Sequence, residues 1–375
     1  MTRLNRKKLA LFLGDGETLE NWDKNGFLKR EIALYNLLAK KFYKIYIFTC
    51  GSKKDQTYQS LLKRNILIIP KVNNLNNKLY ELIIPFKFKQ LLNKCDIYKT
   101  NQNMDATAPT LCKLLYGNNL VIRSGFIASL FAKLDNSRLF FRSYVLLLEF
   151  FSYLFCDKAF HPTEVNCNIL IKKYPFLKKK LVMVNNFTDT SLFVNKRLNK
   201  KYDLIYVARL EKQKNHLNLL ESLKGLDLSL CLVGQGSYEE KIKTFARSND
   251  LHVTIIKSVP NEILPNLYNS AKMFISPSLY EGNPKALMEA MSCGLPVIGY
   301  NVMGVNNLIE NGKNGILCEP NAKELRPEII KLLKDKKLQR RLGKNAREYI
   351  LKNFSLDKLV KKEIKIYEDL LKNDN

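Results

Sequence analysis

Short apolar runs alternate along the chain with longer stretches of helical spacing. Residues 9–13 are apolar and are followed by a polar segment over 14–26. Apolar residues at Phe27, Ile32, Leu34, Leu37 and Leu38 then predict a helix over 27–41, and Ile45, Tyr46, Ile47 and Phe48 form the next run. Strand, loop, amphipathic helix and strand is the repeating unit of a parallel sheet. Further runs at 66–69, 97–98, 120–122, 158–160 and 181–184 continue the alternation, which predicts one Rossmann-like domain.

The pattern restarts after the polar segment 195–201 (NKRLNKK), which reads as a linker. Residues 203–207, 228–233, 253–256, 273–275 and 296–300 predict the strands of a second domain, with a helix over 215–223. The expected organisation is an N-terminal Rossmann-like domain over 1–195, a C-terminal one over 196–355, and an amphipathic helix over 356–375 that packs back on the first. Parallel sheets place ligands at the carboxyl ends of their strands, so two such domains are expected to bind between them.

A chain of 375 residues is too long for one hydrophobic core, in keeping with two domains. The stretch 139–160 (LFFRSYVLLLEFFSYLFCDKAF) is the most apolar, but Arg142, Glu149 and Asp157 interrupt it. A charge at the centre of a membrane helix costs about 2.5–3.5 kcal/mol, so a buried helix or one lying on a bilayer surface is expected instead of a span. The eight cysteines form no Cys-x-x-Cys pair and no zinc spacing with histidine, and no N-terminal signal is visible, which fits a reducing cytoplasm.

Charge is distributed unevenly. Of the net +27, residues 1–200 carry +20, from 34 basic against 14 acidic side chains. A low-GC genome, which favours lysine and asparagine, would account for half of this excess, and an anionic surface or acceptor for the other half. The basic runs Lys172-Lys173 and Lys178-Lys179-Lys180 enclose Tyr174, Phe176 and Leu177, a mixture suited to anionic headgroups. No zinc finger, RNP-type aromatic motif or Gly-x-x-Gly clamp marks a nucleic-acid binder.

Three stretches carry chemistry. In 274–300 a strand ends near Ser276, and a turn holds Glu281 and Gly282. Asn283 with Pro284 reads as the N-cap and first residue of a helix that carries Lys285 and Glu289 and stops at Gly294. The helix start would offer amides to a phosphate, with two carboxylates nearby for hydroxyl groups. In 207–215 (VARLEKQKN), Arg209 and Lys214 flank a strand-to-helix loop, a guanidinium and an ammonium suited to phosphate oxygens. Gly234-Gln235-Gly236 is half of a dinucleotide fingerprint.

Together these stretches resemble the retaining glycosyltransferases of the GT-B fold, of the glycosyltransferase family 4 or "group 1" type. Glu281 and Glu289 match that family's Glu-x7-Glu, Arg209 and Lys214 its Arg-x4-Lys, and residues 233–236 its Val-Gly-x-Gly. The segment 183–193 (MVNNFTDTSLF) is similar to its inter-domain stretch. The resemblance is close over 180–350 and covers the first domain in outline, around Gly26. It implies an α/β GT-B fold, two Rossmann-like parallel-sheet domains facing across a cleft. It implies that Glu289 holds ribose hydroxyls and Glu281 those of the transferred sugar, while Arg209 and Lys214 neutralise the diphosphate. Gly26 would let a first-domain loop approach the donor, and Gly234, Gly282, Asn283, Pro284 and Lys285 would complete the donor site.

The expected catalytic residues are thus Arg209, Lys214 and Glu281. No Asp-x-Asp motif occurs, and metal-independent transfer with no cofactor beyond the nucleotide-diphosphate sugar is expected. The only histidines are His161, His216 and His252, so a first-domain histidine common in the family is absent from its expected region. Arg123 in that region would contact the acceptor or a phosphate, or else form a structural ion pair, and His161 would pack at a strand end. Backbone groups near Ser258 and Asn261 would set nucleotide preference.

The expected activity is transfer of a sugar to a lipid-linked, lipopolysaccharide or polysaccharide acceptor in bacterial cell-surface glycan synthesis. The expected partners are a nucleotide-sugar donor, a glycan or lipid-linked acceptor and an anionic membrane surface, with no nucleic acid. The protein would sit peripherally on the cytoplasmic face of the inner membrane. The alternatives are a nucleotide-sugar epimerase of the same architecture and a non-catalytic basic nucleic-acid-binding protein.

Overall fold

The computed structural model describes residues 3–372 except 15, 27, 72–73, 136 and 258. The chain divides into two compact units, Met1–Asn185 with Leu359–Asn375, and Asn186–Lys358.

The first unit is built on seven parallel strands: β1 (Lys8–Leu13), β2 (Lys44–Thr49), β3 (Ile66–Ile69), β4 (Ile97–Thr100), β5 (Asn119–Arg123), β6 (Lys158–His161) and β7 (Leu181–Met183). Their order is β3-β2-β1-β4-β5-β6-β7, so successive strands run outward in one direction up to β3 and in the other from β4. That reversal between β1 and β4 is a topological switch point. Strand residues such as Phe12, Phe48, Tyr98 and Ile122 share one core with Tyr153 of the helix Leu139–Phe155. The helix expected over 27–41 runs Leu28–Leu38, and Phe27 lies outside the described residues.

The last helix, Leu356–Leu370, packs its inner face on this unit through Tyr367, whose ring meets Phe42 and Phe160. Its Glu363 is fully buried and accepts from Lys99 Nζ at 2.6 Å, Arg123 Nη1 at 2.8 Å and the Tyr367 hydroxyl at 2.7 Å. Burial would push the Glu363 carboxyl up, but Lys99 and Arg123 outweigh it and hold it below the usual glutamate range. Burial pushes Lys99 down to about 8, against the pull of Glu363. The direction that governs the cluster is that of Glu363, because two cations face one carboxylate.

The second unit has six parallel strands: β8 (Tyr202–Val207), β9 (Leu230–Val233), β10 (Val253–Ile256), β11 (Ala271–Ser276), β12 (Val297–Tyr300) and β13 (Ile316–Cys318). Their order, β10-β9-β8-β11-β12-β13, repeats the same reversal, here between β8 and β11. The edge strand β13 is an addition to the strands expected from the sequence: three residues between Gly315 and Glu319 leave too short a run to register as a strand.

The unit boundary falls at 185/186, not at 195/196. Phe193 is buried in the second core, and its carbonyl accepts from Ser292 Oγ at 2.7 Å and Arg347 Nη1 at 3.0 Å. The polar stretch that follows is strapped to the same unit, since Lys196 N donates to Asn269 Oδ1 and Lys200 Nζ to Asn269 O. Its polarity reflects hydrogen bonding to a neighbouring helix end, which composition alone reads as a linker.

Candidate functional site

The loops after β8 and β11 leave the sheet at the switch point of the second unit, and they are stitched together. Leu279 N donates to Gln213 O at 2.9 Å, and Gln213 Nε2 donates to Tyr280 O at 2.7 Å. This stitching brings Lys214, at the end of one loop, onto Glu281 in the other, with Nζ and Oε1 2.5 Å apart. Ser278 Oγ donates to the same oxygen at 2.7 Å, and the Tyr206 hydroxyl lies 2.8 Å from Ser278 Oγ and 3.2 Å from Lys214 O. Burial, and then the charge of Glu281, hold the Tyr206 phenol far above its ordinary range, so it stays a neutral donor at the floor of the site.

The backbone of Glu281 is fixed from a third side. Its N–H donates to Met303 O at 2.9 Å, and a Cβ on Gly304, which has φ +87°, would stand 2.3 Å from Glu281 O. The loop after β9 lies against the loop after β8 in the same way. Gly234 has φ +150°, and a Cβ there would stand 1.9 Å from Ala208 O, so only glycine permits this approach. Ser237 then ties the loop down by donating its N–H and hydroxyl to Glu211.

The helix after Glu281 runs Lys285–Ser292 with Pro284 as its N-cap, and no side chain caps it. This corrects the expected Asn283 cap. Pro284 is extended (ψ 105°) and lies outside the helix, so Asn283 is one residue too early to bond the first-turn amides. Gly282 and Asn283 form the bend before it, and the buried Asn283 amide oxygen has no hydrogen-bond partner among the described residues. The first turn therefore presents backbone donors and the positive end of the helix dipole beside Lys285, which is half-buried. Glu289, in the second turn, is only 2% exposed and accepts from the Tyr268 hydroxyl at 3.0 Å. A glutamate this buried is no ordinary solvated helix residue.

Lys214 and Glu281 are thus joined directly, while Arg209 stands exposed in the loop after β8. Gly26 and Arg123 belong to the first unit. Gly26 has φ +76° and follows the helix Leu19–Lys24, its N–H donating to Asp23 O. Arg123, at the end of β5, is engaged by Glu363 in the buried ionic cluster, the structural alternative to an acceptor contact. His161 is fully buried, with Nε2 2.6 Å from the Tyr153 hydroxyl, and burial lowers it to about 3. His216, its ring tilted against that of Tyr206, is lowered to about 4 first by burial and then by Lys214. Asn261 is buried, and Ser258 lies outside the described residues. Ser278, Tyr206 and Gln213 were not singled out by sequence. The Ser-x-x-Glu spacing of Ser278 and Glu281 was the available signal, and it is common in turns. Among the described residues no three His, Cys, Asp or Glu side chains gather as metal ligands.

Comparison with known proteins places the likeness in the second unit. The family model described as glycosyl transferases group 1 matches residues 188–349, which hold every element of the second-unit site. The N-acetyl-alpha-D-glucosaminyl L-malate synthase of Bacillus anthracis is 27% identical over 229 residues, 56% of this chain and 60% of that one. The UDP-Gal:alpha-D-GlcNAc-diphosphoundecaprenol alpha-1,3-galactosyltransferase of Escherichia coli is 31% identical over 175 residues, 44% of this chain and 45% of its own. The chain spans about half the length of the curated relatives it matches. The Anabaena protein Alr3699/HepE, solved in complex with UDP and glucose, superposes with a TM-score of 0.78 at 17% identity, covering 97% of this chain and 100% of that one. That likeness establishes the fold, two Rossmann-like units of the GT-B class. The likeness to the glycosyl transferases of group 1 lies in the second unit, over residues 188–349.

Proposed function

We propose that this protein moves a sugar from a nucleoside-diphosphate donor, with retention at the anomeric carbon, to a lipid-linked or polysaccharide acceptor in bacterial cell-surface glycan synthesis. The observation that carries the reading is the Lys214–Glu281 pair at a sheet switch point, beside an uncapped helix end. The diphosphate would lie on the amides of the first helical turn, with Lys214 and Arg209 as counter-charges. Glu281 would accept from hydroxyls of the transferred sugar, and Glu289 from those of the ribose. As the C1–O bond breaks, charge grows on the departing phosphate oxygen, where fixed cations act with most effect. The acceptor hydroxyl oxygen bonds to C1 on the same face, and its proton leaves with that phosphate oxygen. Two cations and a helix end supply the positive charge, so transfer would need no resident metal ion.

The names of relatives support the acceptor class. The E. coli relative is named for a diphosphoundecaprenol-linked sugar, and a Staphylococcus aureus relative for capsular polysaccharide biosynthesis. An acceptor of this kind would place the enzyme on the cytoplasmic face of the inner membrane. Incubation with labelled nucleotide sugars and a short polyprenyl-diphosphate sugar, followed by NMR of the product, tests the reading. An axial donor should give an axial linkage; an equatorial linkage would exclude retention. Conversion of the sugar without acceptor would favour an epimerase.

A further inference from the structure

Large apolar side chains that stand exposed are concentrated in one unit: among the described residues 22 belong to the first and 4 to the second. The densest group lies on the helix Leu139–Phe155. Only the stripe of Val145, Glu149, Ser152 and Tyr153 is buried, although the sequence is apolar almost all round. The opposite face carries Phe140 and Leu147, which are 87% and 58% exposed, and continues through Phe151, while Leu139 on the flank is 76% exposed. The helix Thr107–Tyr116 packs against this one and against Asn77–Lys87, and both bring further exposed residues to the layer, Leu114 on the first and Leu82 and Phe86 on the second. A layer of this kind exceeds the scattered apolar exposure of an ordinary surface.

We propose that this helical layer docks on an anionic lipid bilayer, with the start of the helix Leu139–Phe155 inserted among the acyl chains. This deepens the proposed function by naming the surface that reaches a membrane-borne acceptor, and it rests on that reading for its purpose, though not for its geometry. The helix cannot cross a bilayer: its 17 residues span about 25 Å, Arg142 and Glu149 interrupt it, and no described helix is long and apolar enough. It suits lying in the interface, apolar face inward.

Charge selects the occupant. Lys133, Arg138 and Arg142 flank the exposed end of the helix, and Lys87 and Lys89 the end of its neighbour. The one acid on the helix, Glu149, is buried and spent on Lys173 Nζ at 2.8 Å, Ser129 and Tyr174. A groove of about 370 Å³ between this helix and Ala128–Leu134 combines Leu130, Leu139 and Leu146 with Lys133 and Arg142. Apolar walls under cationic groups match an anionic headgroup with its chain. A second copy of the protein would set these cations against their own images in a two-fold interface, which disfavours self-association.

The test is flotation of the full chain with vesicles of phosphatidylglycerol and phosphatidylcholine, against phosphatidylcholine alone. Binding to the anionic vesicles should exceed neutral binding at least about tenfold and fall with salt. Phe140→Ser with Leu147→Ser should weaken it about a hundredfold without lowering the melting temperature, because both positions are exposed. Phe140→Trp should be quenched by lipids brominated along their chains. Equal binding to both vesicles, an unquenched Phe140→Trp, or a double variant that binds as well as the parent would overturn the proposal. So would a vesicle-free dimer that the double variant dissociates. Stabilisation by a nucleotide sugar, measured in parallel, reports the donor site alone, so either reading can fail without the other.

Discussion

Lys99 on β4 and Glu363 on the last helix are 264 residues apart in sequence and 2.6 Å apart in space, both without solvent contact. This pair, with Arg123, anchors the end of the chain to the middle of the first sheet. Removing one partner of a buried ion pair leaves an uncompensated charge and typically costs about 3–5 kcal/mol. Glu363→Gln should therefore destabilise the first unit by about that amount in urea unfolding, while the double change Lys99→Met with Glu363→Leu should lose less. Equal losses would mean the cluster contributes only packing.

The same cluster sets an acid limit. The Glu363 carboxyl is held below its unfolded value of 4.5 by Lys99 and Arg123. Its contribution is therefore present above that pH and is lost as pH falls through the lower folded value. Unfolding of the parent followed from pH 6 downward, on the order of the scale where carboxylates titrate, should show an acid-labile component that Glu363→Gln lacks. Parallel curves would contradict the assignment.

No sequence pattern could have found that pair, because nothing local marks a lysine in an apolar strand and a glutamate in an amphipathic helix as partners. The strands, by contrast, were legible because both faces of a parallel sheet are covered and each strand reads as an apolar run. The candidate site was legible as motifs, Glu281 with Glu289 in one stretch and Arg209 with Lys214 in another, of which the structure joins Lys214 to Glu281. It was illegible where contact depends on how two loops meet: the stitching through Gln213, and Ser278 and Tyr206 beneath Glu281. The helix at 139–155 was recognisable as apolar, but which face lies open depends on what packs against it.

Gly234→Ala should disrupt the second unit. Its Cβ would fall 1.9 Å from the Ala208 carbonyl oxygen at a φ that only glycine adopts readily. The expected loss is about 3 kcal/mol or more, with donor binding lost as the loop bearing Arg209 shifts. Gly312→Ala, at an open position with φ +74°, should cost less. Similar losses in the two variants would show that backbone strain, not the close approach, is what Gly234 relieves.

Glu281→Gln keeps the shape of the site and removes the charge that Lys214 meets at 2.5 Å. Losing one preorganised electrostatic contact of this type costs about a hundred- to a thousandfold in turnover. Lys214→Ala should lower kcat by a similar factor, and the double variant should lose less than the product of the two, because the groups act as one unit. Multiplicative losses would separate their roles.

The central claim is that a nucleoside-diphosphate sugar binds at the switch point between β8 and β11. Thermal unfolding of the parent and of Lys214→Ala in a series of UDP-, GDP- and ADP-sugars tests it most directly. One nucleotide sugar at about a hundred times its dissociation constant should stabilise the parent by about 2.7 kcal/mol and stabilise Lys214→Ala far less. If none shifts the parent, or if Lys214→Ala responds as fully, the donor is not held where Lys214 and Glu281 meet.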